Sequence, residues 1–184
     1  MSLEHAILGF LNYQPLSGYD LKKYFDDSVR HFWPATQSQI YRTLARMTEA
    51  GWVEQEYIEQ QDRPSRKVYH ITDAGREELL RWLSTPLPLE PDRVRWLVQV
   101  FFAPVLPNEV IRHLFEARAA ALRARLAHLR TEVQANIERY YEQIGIERAR
   151  RCWQMTLDYG IAHYEAELEW IESKLAEIDQ LPPV

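Results

Sequence analysis

The stretch Thr36–Met47, TQSQIYRTLARM, decides how the N-terminal half of this sequence folds. Ile40, Leu44 and Met47 recur at intervals of four and three residues, which is the spacing of one apolar face of an α-helix. The opposite face and its borders carry Ser38, Gln39, Tyr41, Arg42, Ala45 and Arg46. This face has no carboxylate and several planar or forked hydrogen-bonding groups, so we expect it to contact another molecule rather than water alone.

The two ends of this helix are also marked in the sequence. Thr36 followed by Gln39 matches the T-x-x-Q capping box, in which each residue's side chain bonds the other's backbone N–H. Gly51 fits the position just after a helix, where a left-handed backbone conformation is common. The sequence therefore predicts a helix that begins after Thr36 and ends before Gly51.

Two further helices are predicted upstream. Residues 3–13 bury Ile7, Leu8 and other apolar side chains on one face. After a turn, Ser17 and Asp20 have the spacing of a second capping box, which predicts another helix directly before the Thr36 helix.

Downstream, the pattern changes to that of a β-hairpin followed by a helix. The segments WVEQEYIEQ and KVYHI contain β-branched and aromatic residues, and the turn QDRPSR separates them. Thr72 then fits the N-cap of a fourth helix. The order helix, helix, helix, hairpin, helix predicts a winged helix-turn-helix, in which the third helix enters the DNA major groove and the hairpin is the wing.

Residues 84–92, STPLPLEPD, mark a domain boundary because their three prolines cannot continue a helix. We therefore predict a DNA-binding domain at residues 1–85 and a helical domain at residues 92–181. The second domain should contain a short helix over residues 92–103, a long helix ending near residue 141 and a last helix after the weak break IGIE. The fold class is mainly α with a small β-hairpin.

The last helix carries an apolar seam with the 3-4 spacing of a coiled coil. Two long helices joined by a short turn should form an antiparallel helical hairpin, and we assign the seam to a homodimer interface. The alternative is an intramolecular bundle without a partner. The predicted interface residues are Leu157, Ile161, Tyr164, Leu168, Ile171 and Leu175.

Bulk composition narrows the class of protein. A length of 184 residues fits one domain or two small ones. The hydrophobic fraction of 46% is enough to form a core. Cys152 is the one cysteine, so no internal disulfide is possible, and the N-terminus does not resemble a signal peptide. With no apolar run of membrane-spanning length, we expect a cytoplasmic protein that contacts no membrane. The net charge of −5 means that any DNA contact must come from a focused basic patch.

The segments SQIYRTLARMTEAGWVE and KVYHITDAGREELLRWL closely resemble the PadR family of bacterial transcriptional regulators. The resemblance covers residues 3–83, and the second half is similar in length and helical character to the larger PadR subgroup. It implies a homodimer held mainly by C-terminal helices, an inverted-repeat operator in double-stranded DNA and, in many members, release by a small ligand. Repression is the commoner mode in the family. The acidic strand with Glu54, Glu56 and Glu59 departs from a strongly basic wing.

The chemistry of the third helix suggests how it would read DNA. Gln37 and Gln39 can pair bidentately with adenine, Arg42 with guanine, and Ser38 with either a base or a phosphate. The Tyr41 ring can pack on the helix pair while its hydroxyl reaches a phosphate. For the glutamines and Tyr41, purely capping, surface or structural roles remain open.

The predicted wing tip gathers three cations, Arg63, Arg66 and Lys67, around Pro64. Such residues contact the DNA backbone or the minor groove and position the protein rather than specify a sequence. A solvated turn is the alternative interpretation. Together with the third helix, these residues would supply most of the attraction to DNA.

Ligand binding is a separate hypothesis. The tryptophans at positions 82, 96, 153 and 170, with Phe101, Phe102, Tyr159 and Tyr164, could line a flat-walled pocket between the domains or protomers. Such a pocket would favour a small aromatic effector, and Trp96 and Trp153 are the candidate ligand-binding residues. The alternative is that these side chains only fill the core and the interface.

The sequence also bears on two other classes of function. The six histidines show no metal-binding spacing, and the sequence has no Gly-rich phosphate loop, so we expect neither an enzyme nor a cofactor or metal site. A protein-interaction module that keeps a winged-helix shape without reading DNA remains the alternative function.

Overall fold

The computed structural model describes the backbone of residues 2–60, 63–89 and 93–182. Side chains are described in the same ranges except at positions 2, 59, 60 and 63–65. The chain forms two compact units, Met1–Pro88 and Leu89–Val184. The division falls inside the proline-rich segment at residues 84–92.

The first unit has the predicted order of helix, helix, helix, hairpin and helix. A two-residue strand, Leu16–Ser17, which no periodicity could have revealed, pairs with the second strand of the hairpin and makes a three-stranded antiparallel sheet with that second hairpin strand in the middle. In this strand Leu16 lies opposite Tyr69. The elements are α1 (Ser2–Tyr13), β1 (Leu16–Ser17), α2 (Gly18–Asp27), α3 (Gln37–Glu49), β2 (Val53–Gln60), β3 (Arg63–Ile71) and α4 (Asp73–Leu83).

Local signals fix the ends of these helices as the sequence predicted. Both capping boxes are present, one between Ser17 and Asp20 and one between Thr36 and Gln39. Gly51 has a φ of +72°, the left-handed conformation that ends α3. The Thr72 hydroxyl accepts a hydrogen bond from the Gly75 backbone N–H at the start of α4.

One hydrophobic core holds the first unit together. Helices α1, α2, α3 and α4 and all three strands contribute side chains to it. The helix that carries the candidate DNA-reading face, α3, therefore packs on the same core as the other elements of the unit. Its buried members include Ile7, Leu8, Leu21, Phe25, Ile40, Leu44, Met47, Val53, Tyr69 and Leu79.

Within the described residues, the second unit is built from helices and the short connections between them. It consists of α5 (Arg95–Phe101), a 3-10 turn (Ala103–Val105), α6 (Asn108–His128), a π-helical turn (Leu129–Val133), α7 (Gln134–Ile144) and α8 (Glu147–Ile178). The predicted long helix is thus divided by the π-helical turn, which the apolar spacing did not reveal. The predicted break at IGIE is present, and Gly145 there has a φ of +70°. Residue 92, where the short helix was predicted to begin, lies outside the described residues.

Helix α8 runs antiparallel to α6 and α7 in the predicted helical hairpin. Ion pairs join Arg118 to Glu167 at 2.7 Å and Arg150 to Glu138 at 3.0 Å, on the two sides of the π-helical turn. The apolar seam of α8 packs onto two clusters of buried side chains.

This packing corrects part of the dimer-interface prediction. Leu157 and Ile171 have no exposed surface in the single chain, so they have none to offer to a second chain. Ile161, Tyr164, Leu168 and Leu175 are half-buried against the same two clusters. At Leu157 and Ile171 the 3-4 spacing therefore reflects packing within the chain, and the interface prediction for the other four residues stays a prediction.

Candidate nucleic-acid interface

Helix α3 turns its apolar face to the core and its polar face to solvent. Ile40, Leu44 and Met47 are almost completely buried. The five residues predicted to touch DNA on this helix are exposed: Gln37, Ser38, Gln39, Tyr41 and Arg42. The structure therefore presents these side chains together on one surface.

The two arginines of α3 have different surroundings. Arg46 donates a 2.8 Å hydrogen bond to Glu4 of α1 and one of 3.3 Å to the Thr43 hydroxyl. Arg42 makes one long contact within the described residues, from its Nε to the Ser38 carbonyl oxygen at 3.4 Å. The outer nitrogens of Arg42 are thus available to a guanine edge, whereas those of Arg46 brace α3 against α1.

The two glutamines also differ. The Gln39 Oε1 accepts hydrogen bonds from the Thr36 backbone N–H at 2.8 Å and from the Thr36 hydroxyl at 3.0 Å. A bidentate pair with adenine needs the same oxygen as an acceptor, so it would compete with the helix cap. The Gln37 side chain makes no hydrogen bond within the described part of the chain, so the oxygen and the nitrogen of its amide are both available. Of the two residues, Gln37 is the better candidate for reading a base.

Tyr41 anchors α3 on α2 through a glycine. A Cβ added to Gly18 would lie 2.5 Å from Tyr41 Cε1 and 2.7 Å from Cζ, a separation that real atoms do not adopt. Gly18 is the first residue of α2, so the ring covers the start of that helix. Tyr41 is still 42% exposed, which leaves room for a further contact.

Arg66, on the wing, is attached to the start of α2. Its guanidinium donates to the Asp20 carboxylate, which also accepts a 2.7 Å hydrogen bond from the Ser17 hydroxyl. Burial raises the pKa of the Asp20 carboxyl, but the hydrogen bonds from Ser17 and Arg66 outweigh it, so the pKa lies below its ordinary value. Asp20 therefore stays ionised and holds this wing cation beside helix α2. The part played by Asp20 in the wing could not be predicted from its capping spacing.

The other wing cations differ in how they are held. The Lys67 ammonium lies 5.5 Å from the centroid of the Tyr57 ring and 5.7 Å from that of Tyr69, in cation–π contact with both. The side chain of Arg63 lies outside the described residues. One carboxylate of the acidic strand has a hydrogen-bonding partner, because Glu56 Oε2 lies 2.9 Å from His70 Nε2 on the neighbouring strand.

The two candidate ligand residues of the second unit are not in one cluster. Trp153 packs on the cluster of Leu129, Val133, Ile137 and Leu157. Trp96 instead forms edge-to-face contacts with Phe115 and Trp170, at centroid distances of 5.7 and 5.6 Å.

A cavity of about 1040 Å³ adjoins Trp96 and is lined by α5, α6 and α8. Arg118 lies over the Trp96 ring at 5.4 Å while its Nη2 donates to Glu167 at 2.7 Å. Arg93 and Arg95 add two further cations to the lining. Sequence reasoning missed Arg118, whose spacing along α6 gives no sign of its partner on α8.

No group of histidine, cysteine, aspartate and glutamate side chains within the described residues could hold a metal ion. Among the same residues, none of the helices combines the length and apolar character needed to cross a bilayer.

The first unit has the architecture of a winged helix-turn-helix, the class of fold that places an exposed polar helix and a hairpin on nucleic acid. A model of the transcriptional regulator PadR-like family matches residues 7–81, and one described as virulence activator alpha C-term matches residues 93–179. The "Probable transcriptional regulator Rv1176c" of Mycobacterium tuberculosis is 34% identical over 94% of this chain and 95% of its own. This protein therefore belongs to the PadR family of transcriptional regulators.

Crystal structures of a second relative contain two different ligands. The "Negative transcriptional regulator PadR" of Bacillus subtilis is 29% identical over 97% of this chain and 98% of its own. Its crystal structure in complex with operator DNA has a TM-score of 0.82 to this chain, at 28% identity, and covers 97% of this chain and 99% of that one. The structure with p-coumaric acid has a TM-score of 0.76, at 27% identity with the same coverage.

Proposed function

We propose that this protein is a sequence-specific repressor that binds an inverted-repeat operator as a homodimer and is released by a small aromatic effector. The observation that carries the proposal is the outer face of α3. Arg42 has its outer guanidinium nitrogens available, Gln37 has a free amide, and neither is used to hold the helix in place. The operator-bound and negative-regulator relatives favour DNA as the partner and repression as the outcome.

Base reading and positioning fall to different residues in this proposal. Arg42 and Gln37 contact base edges, while Ser38 and the Tyr41 hydroxyl contact either bases or phosphates. Arg63, Arg66 and Lys67 contact the backbone without reading the sequence. The Asp20 carboxylate lowers the contribution of Arg66 to this attraction, which leaves α3 with the larger share.

The homodimer is assigned to the outward face of α5. Trp96 and Val100 pack inward on the core of the second unit, while the other side of this short helix is apolar and exposed. The exposed side chains on it and directly after it are Leu97, Val98, Phe101, Phe102 and Val105. Exposed apolar side chains grouped in this way are characteristic of protein–protein interfaces, and a two-fold operator requires two copies of α3. We name this set of five residues the α5 face.

The effector is assigned to the cavity beside Trp96. Its lining contains three arginines and one glutamate, and the glutamate is paired with Arg118. The remaining positive charge and the aromatic walls of Trp96 and Trp170 suit a flat anion such as an aryl carboxylate. The p-coumaric acid complex of the Bacillus subtilis relative is consistent with that chemistry.

The DNA part of the proposal is tested by anisotropy titrations of the full chain. The probes are the duplex upstream of its own gene and an unrelated duplex of equal length, each at two salt concentrations. We expect tighter binding to the upstream duplex and affinity that falls with salt on both. Equal binding to the two duplexes, or none to either, would instead favour the interaction module that does not read DNA.

The effector part is tested by tryptophan fluorescence with p-coumarate. We expect saturable quenching that is lost in Trp96→Phe, whose fold is checked by circular dichroism. The matched control is Trp153→Phe, which should keep the ligand-dependent change. Quenching that depends on Trp153 and not on Trp96 would contradict the assigned cavity.

A further inference from the structure

A second cavity in the helical unit has a different chemical character. It encloses about 530 Å³ between the 3-10 turn Ala103–Val105, the first turns of α6 and the end of α8 with its following residues. Four of its lining side chains, Ala103, Ile111, Phe115 and Ile178, are almost fully buried and form its floor. A volume of this size lies within the range of small-molecule sites.

Polar contacts outside the apolar lining hold this cavity open. The Asn108 side-chain amide donates a 2.9 Å hydrogen bond to the Leu181 carbonyl oxygen. Arg112 donates to Asp179 through two nitrogens and to the Leu175 carbonyl oxygen at 3.1 Å. These bonds fasten the end of α8 and the residues after it to the start of α6. The cavity wall is therefore fixed by groups that do not need a ligand to hold them.

The charges at the rim of this cavity cancel. Lys174 and Glu177 line it and form a 2.5 Å ion pair with each other, and Asn108 adds a neutral amide to the lining. Because Lys174 and Glu177 neutralise each other, a charged ligand would lose its hydration without gaining an unpaired opposite charge, and this desolvation costs free energy. A neutral head group can still accept from Lys174 or Asn108 and donate to Glu177 or to the Asn108 carbonyl oxygen.

We propose that this cavity binds a neutral and largely aliphatic molecule with one hydrogen-bonding head group at the rim. The apolar body would contact Val100, Ile111, Ile178 and Leu181, and the head group would lie beside Asn108 and the Lys174–Glu177 pair. The ligand class differs from the aryl carboxylate assigned to the arginine-lined cavity, and the inference does not depend on DNA binding.

The test uses the full chain and a neutral apolar dye, N-phenyl-1-naphthylamine, whose fluorescence rises in apolar sites. Three displacing compounds share one chain length and differ in charge: 1-decanol, decanoate and decylammonium. We expect one dye per chain, and displacement by decanol at concentrations at least about tenfold lower than by either ion, a difference of about 1.4 kcal/mol. Equal displacement by all three, or no saturable dye uptake, would overturn the proposal.

Variants separate this cavity from other apolar surfaces. Ala103→Leu adds volume at the floor and Leu181→Trp adds it at the mouth, where the side chain is exposed and its replacement should not disturb folding. Each variant should weaken dye binding by about tenfold, while Ala162→Leu, at an exposed position of α8 outside the lining, should bind as the wild type does. Unchanged binding in Leu181→Trp would contradict the site. Dye uptake that falls as protein concentration rises would mean that a side chain of a second copy fills the cavity, and it would contradict the proposal.

Discussion

Helices α3 and α5 each expose a face whose side chains are suited to contact with another molecule and not only with water. The two faces have opposite chemistry. The exposed face of α3 consists of amide, hydroxyl and guanidinium groups around Arg42. The exposed face of α5 is apolar, and its Phe101 is 77% exposed in the single chain. The first pattern suits the polar edges of bases, and the second suits a surface that excludes water.

The difference between these two faces lies in how each helix is held. A capping box, a buried apolar face and the Arg46–Glu4 contact hold α3 in place. Outer side chains such as those of Arg42 and Gln37 are therefore not needed to hold the helix. α5 is a helix of seven residues with no side-chain cap, held by Trp96 and Val100. A rigid reading helix and a short apolar helix fit the division between DNA recognition and assembly that we propose.

The largest effect is expected from breaking the α5 face. Phe101→Glu places a charge at its centre, which should convert a dimer into a monomer because the charge would have to be buried. Loss of simultaneous binding to two half-sites should weaken operator affinity by about 100-fold or more. Analytical ultracentrifugation and operator titrations measure the two effects.

The matched control for that variant is Leu80→Glu, at another apolar side chain that is exposed in the single chain. It should leave both the mass in solution and the operator affinity unchanged. A Phe101→Glu variant that sediments as a dimer would show that the α5 face is not the dimer interface, and a monomeric wild type would contradict the proposed homodimer.

A smaller effect is expected from removing the reading arginine. Arg42→Ala should cost about 1–3 kcal/mol per half-site on the operator, because a bidentate contact to guanine is lost. Affinity for unrelated duplexes should change much less. Operator titrations of Arg42→Ala and of Arg46→Ala compare the two arginines, and an equal loss of sequence preference in both would contradict the assignment of base reading to Arg42.

A still smaller and different effect is expected from the wing. Arg66→Ala should weaken binding to operator and unrelated DNA alike and lower the slope of log affinity against log salt by about one per half-site. Asp20 already neutralises part of this cation. Asp20→Asn should therefore strengthen binding to both kinds of DNA and raise the slope of log affinity against log salt. A change confined to the operator would mean that the wing reads sequence.

The smallest effect concerns stability and not DNA. Hydrogen bonds from Arg81 and His5 lower the pKa of Glu78 from its ordinary value of 4.5 to about 2. The folded state therefore gains stability from ionised Glu78 above pH 4.5 and loses it as the pH falls towards 2. We expect Glu78→Gln to melt below the wild type at pH 6, with a gap that narrows at low pH, while the exposed neighbour variant Glu77→Gln shows no such trend.

The parts of the fold that could be predicted from the sequence are those fixed by residues close together in the chain. The boxes Ser17–Asp20 and Thr36–Gln39, and the left-handed Gly51, each act within about one turn of a helix. The strand Leu16–Ser17 could not be predicted because its pairing partner lies some fifty residues away, at residues 68 and 69. The π-helical turn Leu129–Val133 was missed because it alters the backbone without breaking the run of apolar residues.

The candidate sites follow the same rule. The exposed residues of α3 could be predicted because one helix carries all of them. That Gln39 is held in the cap and Gln37 is not could be seen only from their contacts in the folded chain. The seam through Leu157 and Ile171 was assigned to a dimer because 3-4 spacing is the same for packing within a chain and between chains. The pairing of Arg118 with Glu167 joins two helices that are distant in sequence.

The most direct test of the account is selection of duplexes from a random-sequence pool by the wild type and by Arg42→Ala. We predict that the wild type enriches a two-fold symmetric sequence whose half-sites lie one helical turn, about 10 base pairs, or a multiple of it apart. Arg42→Ala should lose the preference for guanine at one position in each half-site. Enrichment of the same sequence by both proteins, or of no sequence by the wild type, would contradict the claim that α3 reads DNA through Arg42.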